Sequence, residues 1–287
     1  ADMLTAYYSR GCDSREIFSK FEISESPDFE KYRNKYNTIF LNMQEFLSRS
    51  DSVEALVDRV KKLVLRDLKR EYPDVDYFDD TDLVESMQDI YETEKCPFVV
   101  IIDEWDCIFR EFRQNKEAQE KYLDFLRDLL KDKACIHLAY MTGILPIKKY
   151  GTHSALNMFD EFSMINPGPL APYVGFTEME VEYLCHKYRM DMEEVKAWYD
   201  GYSFSMAASV YSPRSVVNSM LFGKIENYWN QTETFEALQV YIDMNFDGLK
   251  DDVLSMIAGE RIPVNTGSFT NDMTTFRTED DVLTLLI

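Results

Sequence analysis

Apolar and polar positions follow two different rhythms along these 287 residues. In the first half, short uninterrupted apolar runs are separated by stretches with helical spacing, the signature of an α/β chain with a parallel sheet. The strongest run is Phe-Val-Val-Ile-Ile at Phe98 to Ile102. Five apolar, mostly β-branched residues suit a strand buried on both faces and are too few for a typical helix. Thr38-Ile39-Phe40-Leu41 and Ile136 to Met141 read as two further strands, and Glu161 to Ile165 as a shorter one. His137, alternating within an apolar run, is expected to be buried. Between the strands, Leu56, Val60, Leu63, Val64 and Leu68 share one helical face behind an Asp51/Glu54 capping box. A second helix begins near Asp82 with Leu83, Met87, Ile90 and Tyr91. A third spans Glu117 to Lys131, with Tyr122, Leu126, Leu129 and Leu130 facing one way.

The rhythm changes at Asn166-Pro167-Gly168-Pro169, a cluster of helix breakers that marks the expected domain boundary, with residues 1–166 before it and 167–287 after it. Beyond it, helix start signals dominate. Thr177 and Glu180 form one capping box and Asp191 and Glu194 another. Ser212-Pro213 supplies a cap and a first-turn proline, and Gly223 a stop. Further helical patterns cover Thr234 to Phe246 and Gly248 to Ala258. Trp198, Tyr199, Tyr202 and Phe204 around Asp200-Gly201 are expected as core packing at a glycine-capped helix end. Both chain ends have the look of cut helices. Met3, Leu4, Tyr7 and Tyr8 recur at helical spacing with nothing ahead to cap them, and the helix capped by Thr278 runs on to Ile287.

The candidate chemistry sits where the strongest strand ends. Asp103 and Glu104 follow Ile102 directly, and ligands of open α/β sheets bind outside the carboxyl ends of strands. An acid at that point can hold Mg²⁺ on nucleotide phosphates, and a second acid can polarise an attacking water; the pattern looks like a Walker B motif. Its usual partner, Gly-x-x-x-x-Gly-Lys-Ser/Thr, is not in the sequence. The one Gly-Lys pair, Gly223-Lys224, is followed by Ile225 and has no glycine at the required spacing. The expectation is therefore a parallel-sheet P-loop NTPase core whose first strand and phosphate loop lie outside these residues, followed by an all-α lid.

Composition narrows the partners. Hydrophobic residues make up 45% and aromatics 14%, enough for one large core or two smaller ones. The balance of 31 basic against 52 acidic residues, a net −21, opposes direct binding to nucleic acid or an anionic membrane. Five scattered cysteines without a Cys-x-x-Cys pair, and three histidines, indicate neither a zinc site nor a disulfide scaffold. Reduced thiols point to the cytoplasm. No apolar stretch has transmembrane length.

Several segments in order resemble the bacterial AAA-ATPase-like family, whose members often carry a restriction-type nuclease domain after the ATPase part. They are Asn37 to Met43, Ile101-Ile102-Asp103-Glu104-Trp105-Asp106, Met141 to Ile147, Gly175 to Glu178, Trp198 to Tyr202, Tyr211-Ser212-Pro213 and Tyr228-Trp229. The resemblance implies an ATP- and Mg²⁺-using ATPase of the ASCE class. Asp103 would bind Mg²⁺ through water and Glu104 would be the general base. Thr142 would be a sensor contacting the γ-phosphate or the water, or else a threonine ending a strand beside a glycine turn. Lys148 or Lys149 could offer charge to the phosphates, and Arg214 could act from the lid; each also suits an ordinary surface position. Asp106 is expected to cap the following turn. Implied partners are the nucleotide and a C-terminal nuclease domain, with self-assembly compatible with the family. The competing reading is a P-loop-like interaction module that does not hydrolyse ATP.

Overall fold

The computed structural model describes residues 1–112, 115–145, 156–164, 166–228, 248–258, 260–266 and 278–286. They fall into two compact units that divide after Phe159.

The first unit opens with three short helices, α1 (Asp2–Tyr8), α2 (Arg15–Phe18) and α3 (Phe29–Tyr32). There follow β1 (Asn37–Asn42), α4 (Met43–Leu47), α5 (Val53–Glu71), α6 (Leu83–Glu94), β2 (Phe98–Asp103), α7 (Cys107–Glu111), α8 (Lys116–Leu130) and β3 (Ile136–Met141). The three strands form one parallel sheet in the order β1-β2-β3. Parallel neighbours require crossover connections, which the helices supply. β2 is the central strand, and Phe98 to Ile102 are almost fully buried. Phe98, Val100 and Ile102 pack with Leu56, Val60, Ile90 and Leu126 of α5, α6 and α8. Val99 and Ile101 point the other way, towards Leu4 and Tyr8 of α1 and Tyr32 of α3. The unbroken apolar run exists because both faces of this strand are covered.

Two local expectations are corrected here. The N-cap of α5 is Ser52, whose hydroxyl accepts from Ala55 N, in place of Asp51; Glu54 is instead paired with Lys121 of α8 at 2.7 Å. His137 is exposed. A bulge between the Phe98–Ile136 and Val99–Leu138 pairs leaves it out of the alternation. Its ring stacks on Tyr36 with centroids 4.6 Å apart, and Nε2 lies 3.1 Å from the Tyr36 hydroxyl.

The second unit contains β4 (Phe176–Thr177), α9 (Glu178–Tyr188), α10 (Met192–Tyr199), β5 (Asp200–Phe204), β6 (Ala207–Tyr211), α11 (Pro213–Phe222), α12 (Leu249–Ile257) and α13 (Glu279–Leu286). The capping box of Thr177 and Glu180, the Asp191 cap and the Ser212-Pro213 start are all present. Gly223 ends α11 in the left-handed region at φ +62°. The all-α expectation fails, because β4, β6 and β5 form an antiparallel sheet. Gly201 does not cap α10; Asp200, in extended backbone, does. Tyr202 and Phe204 alternate with Gly201 and Ser203, a period of two that makes a strand, and two residues turn the chain into β6. The core joins Val181, Val195, Tyr199, Tyr211 and Val216. Residues 161–164 are not in a strand. The Thr234 to Phe246 pattern lies outside the described residues. No helix among the described residues is long and apolar enough to cross a membrane.

Candidate functional site

At the carboxyl rim of the parallel sheet, the register sets Asn42 beside Asp103, the last residue of β2. Asn42 spends its side-chain oxygen on the start of α4, accepting from Glu45 N at 3.1 Å. On the other side, β3 runs one residue further into Thr142. Its N–H donates to Ile102 O at 2.9 Å, its carbonyl accepts from Trp105 N at 3.0 Å, and its hydroxyl donates to Asp103 Oδ1. Thr142 is thereby stitched to the end of β2 at two points and to the turn after it at a third.

Glu104 turns the chain out of the sheet with φ +55°, a left-handed conformation unusual for a residue with a side chain. Its carboxylate is paired with the guanidinium of Arg110 in α7. Trp105 is buried against Phe109, and its carbonyl accepts from the Tyr122 hydroxyl at 2.8 Å. Asp106 stands at the N-cap position of α7 but does not cap it. Its Oδ2 accepts instead from Ile144 N at 3.2 Å and Leu145 N at 2.9 Å, and lies 3.5 Å from Arg110 Nε. The fully buried carboxylate ties the turn after β3 to the start of α7. Gly143 makes this approach feasible, since a Cβ there would lie 2.6 Å from Asp106 Oδ1 and from Trp105 Cδ1.

The surroundings also tune their neighbours. Burial, reinforced by the charges of Asp106 and Glu104 and opposed by Arg110, pushes the Cys107 thiol up to about 12. Burial raises the Tyr122 phenol well above its ordinary value. Both stay protonated and inert at neutral pH.

The structure thus brings Asp103, Glu104 and Thr142 to one rim. Lys148 and Lys149 lie outside the described residues, as does His153. Arg214 is an exposed residue in the first turn of α11, and His186 is exposed on α9. Arg110 is a further member, paired with both Glu104 and Asp106. Its position four residues after Asp106 and six after Glu104 was the available signal, because i,i+4 charge pairs face each other on a helix.

Among the described residues no three His, Cys, Asp or Glu side chains group to cage a metal. A single acid with one oxygen spent on Thr142 suits Mg²⁺, which keeps several waters and takes further oxygens from a substrate's phosphates. The donor set fits that ion in that role.

A family model described as "Predicted AAA-ATPase" (AAA-ATPase-like) matches residues 1–152. Over 144 residues the chain is 31% identical to "Uncharacterized protein in vnfD 5'region" of Azotobacter chroococcum mcd 1, an overlap of 47% of this chain and 27% of that protein. The chain therefore spans well under half the length of that relative. No solved structure matches.

Proposed function

Because this chain belongs to the AAA-ATPase-like family, we propose that the rim at Asp103, Glu104 and Thr142 is the metal- and water-handling half of an ATP-hydrolysing site on a P-loop-type core. The observation that carries this reading is the convergence of the three side chains at the ends of two adjacent parallel strands, with the Thr142 hydroxyl bonded to Asp103. Mg²⁺ would be held by Asp103, largely through water, and would neutralise charge on the phosphate oxygens. Glu104 accepts the proton of the attacking water. Thr142 fixes the Asp103 carboxylate and offers its oxygen towards the same space.

No Gly-x-x-x-x-Gly-Lys-Ser/Thr loop occurs in the 287 residues. Turnover by these residues alone is therefore expected to be very slow, since the cradle that positions the phosphates carries much of the catalysis. In the whole protein, the ATP cycle would act as a switch on an attached nuclease domain in the cytoplasm. A second reading, a non-hydrolysing interaction module, is favoured by one observation: the Glu104 carboxylate is engaged by Arg110.

Binding can be tested without turnover. Mn²⁺-ATP, a paramagnetic stand-in for Mg²⁺-ATP, is titrated into isotopically labelled protein. Selective broadening of the amide signals of Asp103, Glu104 and Thr142, lost in Asp103→Asn, is the expected result. Broadening centred elsewhere, or none at millimolar nucleotide, overturns the reading.

A further inference from the structure

Three charged groups at the rim, Asp106, Arg110 and Glu104, form a chain of which the ATPase reading uses only Glu104. Asp106 is fully buried, yet it carries a carboxylate. Two backbone amides, Ile144 N and Leu145 N, donate to its Oδ2, and its Oδ1 has no hydrogen-bond partner among the described residues. A buried carboxylate this sparsely bonded needs a counter-charge, because an isolated ion away from water is costly. Arg110, itself mostly buried, stands 3.5 Å away. The same guanidinium reaches the carboxylate of Glu104, whose side chain is 38% exposed.

The two carboxylates differ in freedom. Asp106 is immobilised by burial and by the turn that it holds, so it fixes where Arg110 sits. Arg110 presents a planar fork with several donors and can serve two acids at once. Glu104 has a solvent-facing side chain on a left-handed backbone, and a flexible carboxylate there would sample many directions. Its pairing with Arg110 selects one.

We propose that Asp106 and Arg110 act as one positioning unit that fixes the direction of the Glu104 carboxylate and couples it to the turn at Thr142–Leu145. The inference rests on the reading of Glu104 as the water-activating group only for its catalytic meaning; the coupling is a property of the folded chain. A nucleotide-induced shift of the turn would be transmitted through Asp106 to Arg110 and so to Glu104. The coupling is reciprocal, as any linkage between two sites must be.

The experiment uses the intact chain without nucleotide. Amide exchange at Ile144 and Leu145 reports the turn, and the side-chain carboxyl ¹³C signal of Glu104, assigned by its loss in Glu104→Gln, reports the acid. Arg110→Gln is expected to speed exchange at both amides by about tenfold, because Asp106 loses its counter-charge, and to move the Glu104 signal. Arg110→Lys covers the case in which that variant does not fold. Its ammonium still compensates Asp106 but lacks the fork. Exchange should then remain within about threefold of wild type while the Glu104 signal moves. An unmoved Glu104 signal in Arg110→Lys overturns the proposal, as does unchanged exchange in a folded Arg110→Gln protein. The Mn²⁺-ATP titration separates the two ideas. Broadening at Asp103, Glu104 and Thr142 with no response to Arg110 substitution leaves the ATPase reading standing and removes this one. A response to Arg110 substitution without broadening does the reverse.

Discussion

The Thr142 hydroxyl donates to the Asp103 carboxylate, so the ends of β3 and β2 are joined by a side chain as well as by the backbone ladder. A hydrogen bond to a charged acceptor contributes roughly 1.5–3 kcal/mol, and a part-buried one falls towards the low end. Thr142→Val keeps the shape and removes the donor. It should lower unfolding stability by about 1–2 kcal/mol, read from urea denaturation, while Thr142→Ser stays close to wild type. Equal stability of the Val and Ser variants would show that the bond contributes nothing.

Gly143 is needed for steric reasons. An added Cβ would meet Asp106 Oδ1 and Trp105 Cδ1 at 2.6 Å and Trp105 Nε1 at 2.7 Å. The indole has little room to yield, since Trp105 is buried against Phe109. Overpacking of this kind costs about 1–3 kcal/mol. Gly143→Ala should therefore lower the melting temperature by several degrees and weaken the bonds from Ile144 N and Leu145 N to Asp106. A melting temperature equal to that of wild type would mean that the turn moves aside freely.

Much of the first unit was legible because one physical cause acts alone there. Phe98 to Ile102 is covered on both faces, so its run of apolar residues has no competing interpretation, and Asp103 at its end marks where the strand reaches the rim. The hairpin of β5 and β6 was not read, because its aromatic residues adjoin those ending α10. Tyr202 stands at helical spacing from Tyr199, and only the pairing of Asp200 with Tyr211 and of Tyr202 with Val210 across the sheet decides for a strand. His137 was misplaced by a bulge, which no periodicity signals. Asp106 was expected to cap its own helix. The amides that it accepts from are 38 and 39 residues away, a partnership that only the tertiary fold creates. Arg110 differs, since its partners Asp106 and Glu104 lie four and six residues before it and their spacing carried a signal.

The Cys107 thiol gives a pH prediction with a definite sign. Its value rises from 9.0 to about 12 on folding, chiefly through burial. The folded state therefore holds this proton more tightly than the unfolded chain does. Its contribution is fully present below 9.0 and is lost as the pH rises towards about 12. In that window the thiol costs the protein about 1.4 kcal/mol of stability per pH unit. Cys107→Ala starts less stable at neutral pH because it leaves a small cavity. Its stability should fall less steeply above 9.0, so the two curves converge. Parallel curves, from denaturant titrations at successive alkaline pH values, would rule out Cys107 as the cause.

The last prediction concerns the two edges of the parallel sheet. β1's outer edge is covered at its start, where Ser9 bridges to Tyr36, Tyr36 N donates to Tyr8 O at 3.0 Å and Arg10 N donates to Tyr36 O at 2.9 Å. β3 has a strand neighbour on one side only among the described residues. The bulge at His137 blunts the first part of that edge, as bulges do on exposed strands, but Leu138 to Met141 continue in regular register. Tyr140 there is 40% exposed, and Phe40, on the same face across Ile101, is 36% exposed. Backbone groups without a strand partner among the described residues, flanked by partly exposed aromatics, invite another strand to add alongside. The protein should therefore associate reversibly as its concentration rises, with sedimentation coefficients that drift upward. Tyr140→Lys places a charge on the edge without disturbing a buried contact, and should shift the equilibrium towards monomer while leaving the circular dichroism spectrum unchanged. If wild type and Tyr140→Lys sediment identically as monomers over the whole concentration range, the β3 edge is protected by other means, and this account of the sheet's open side is wrong.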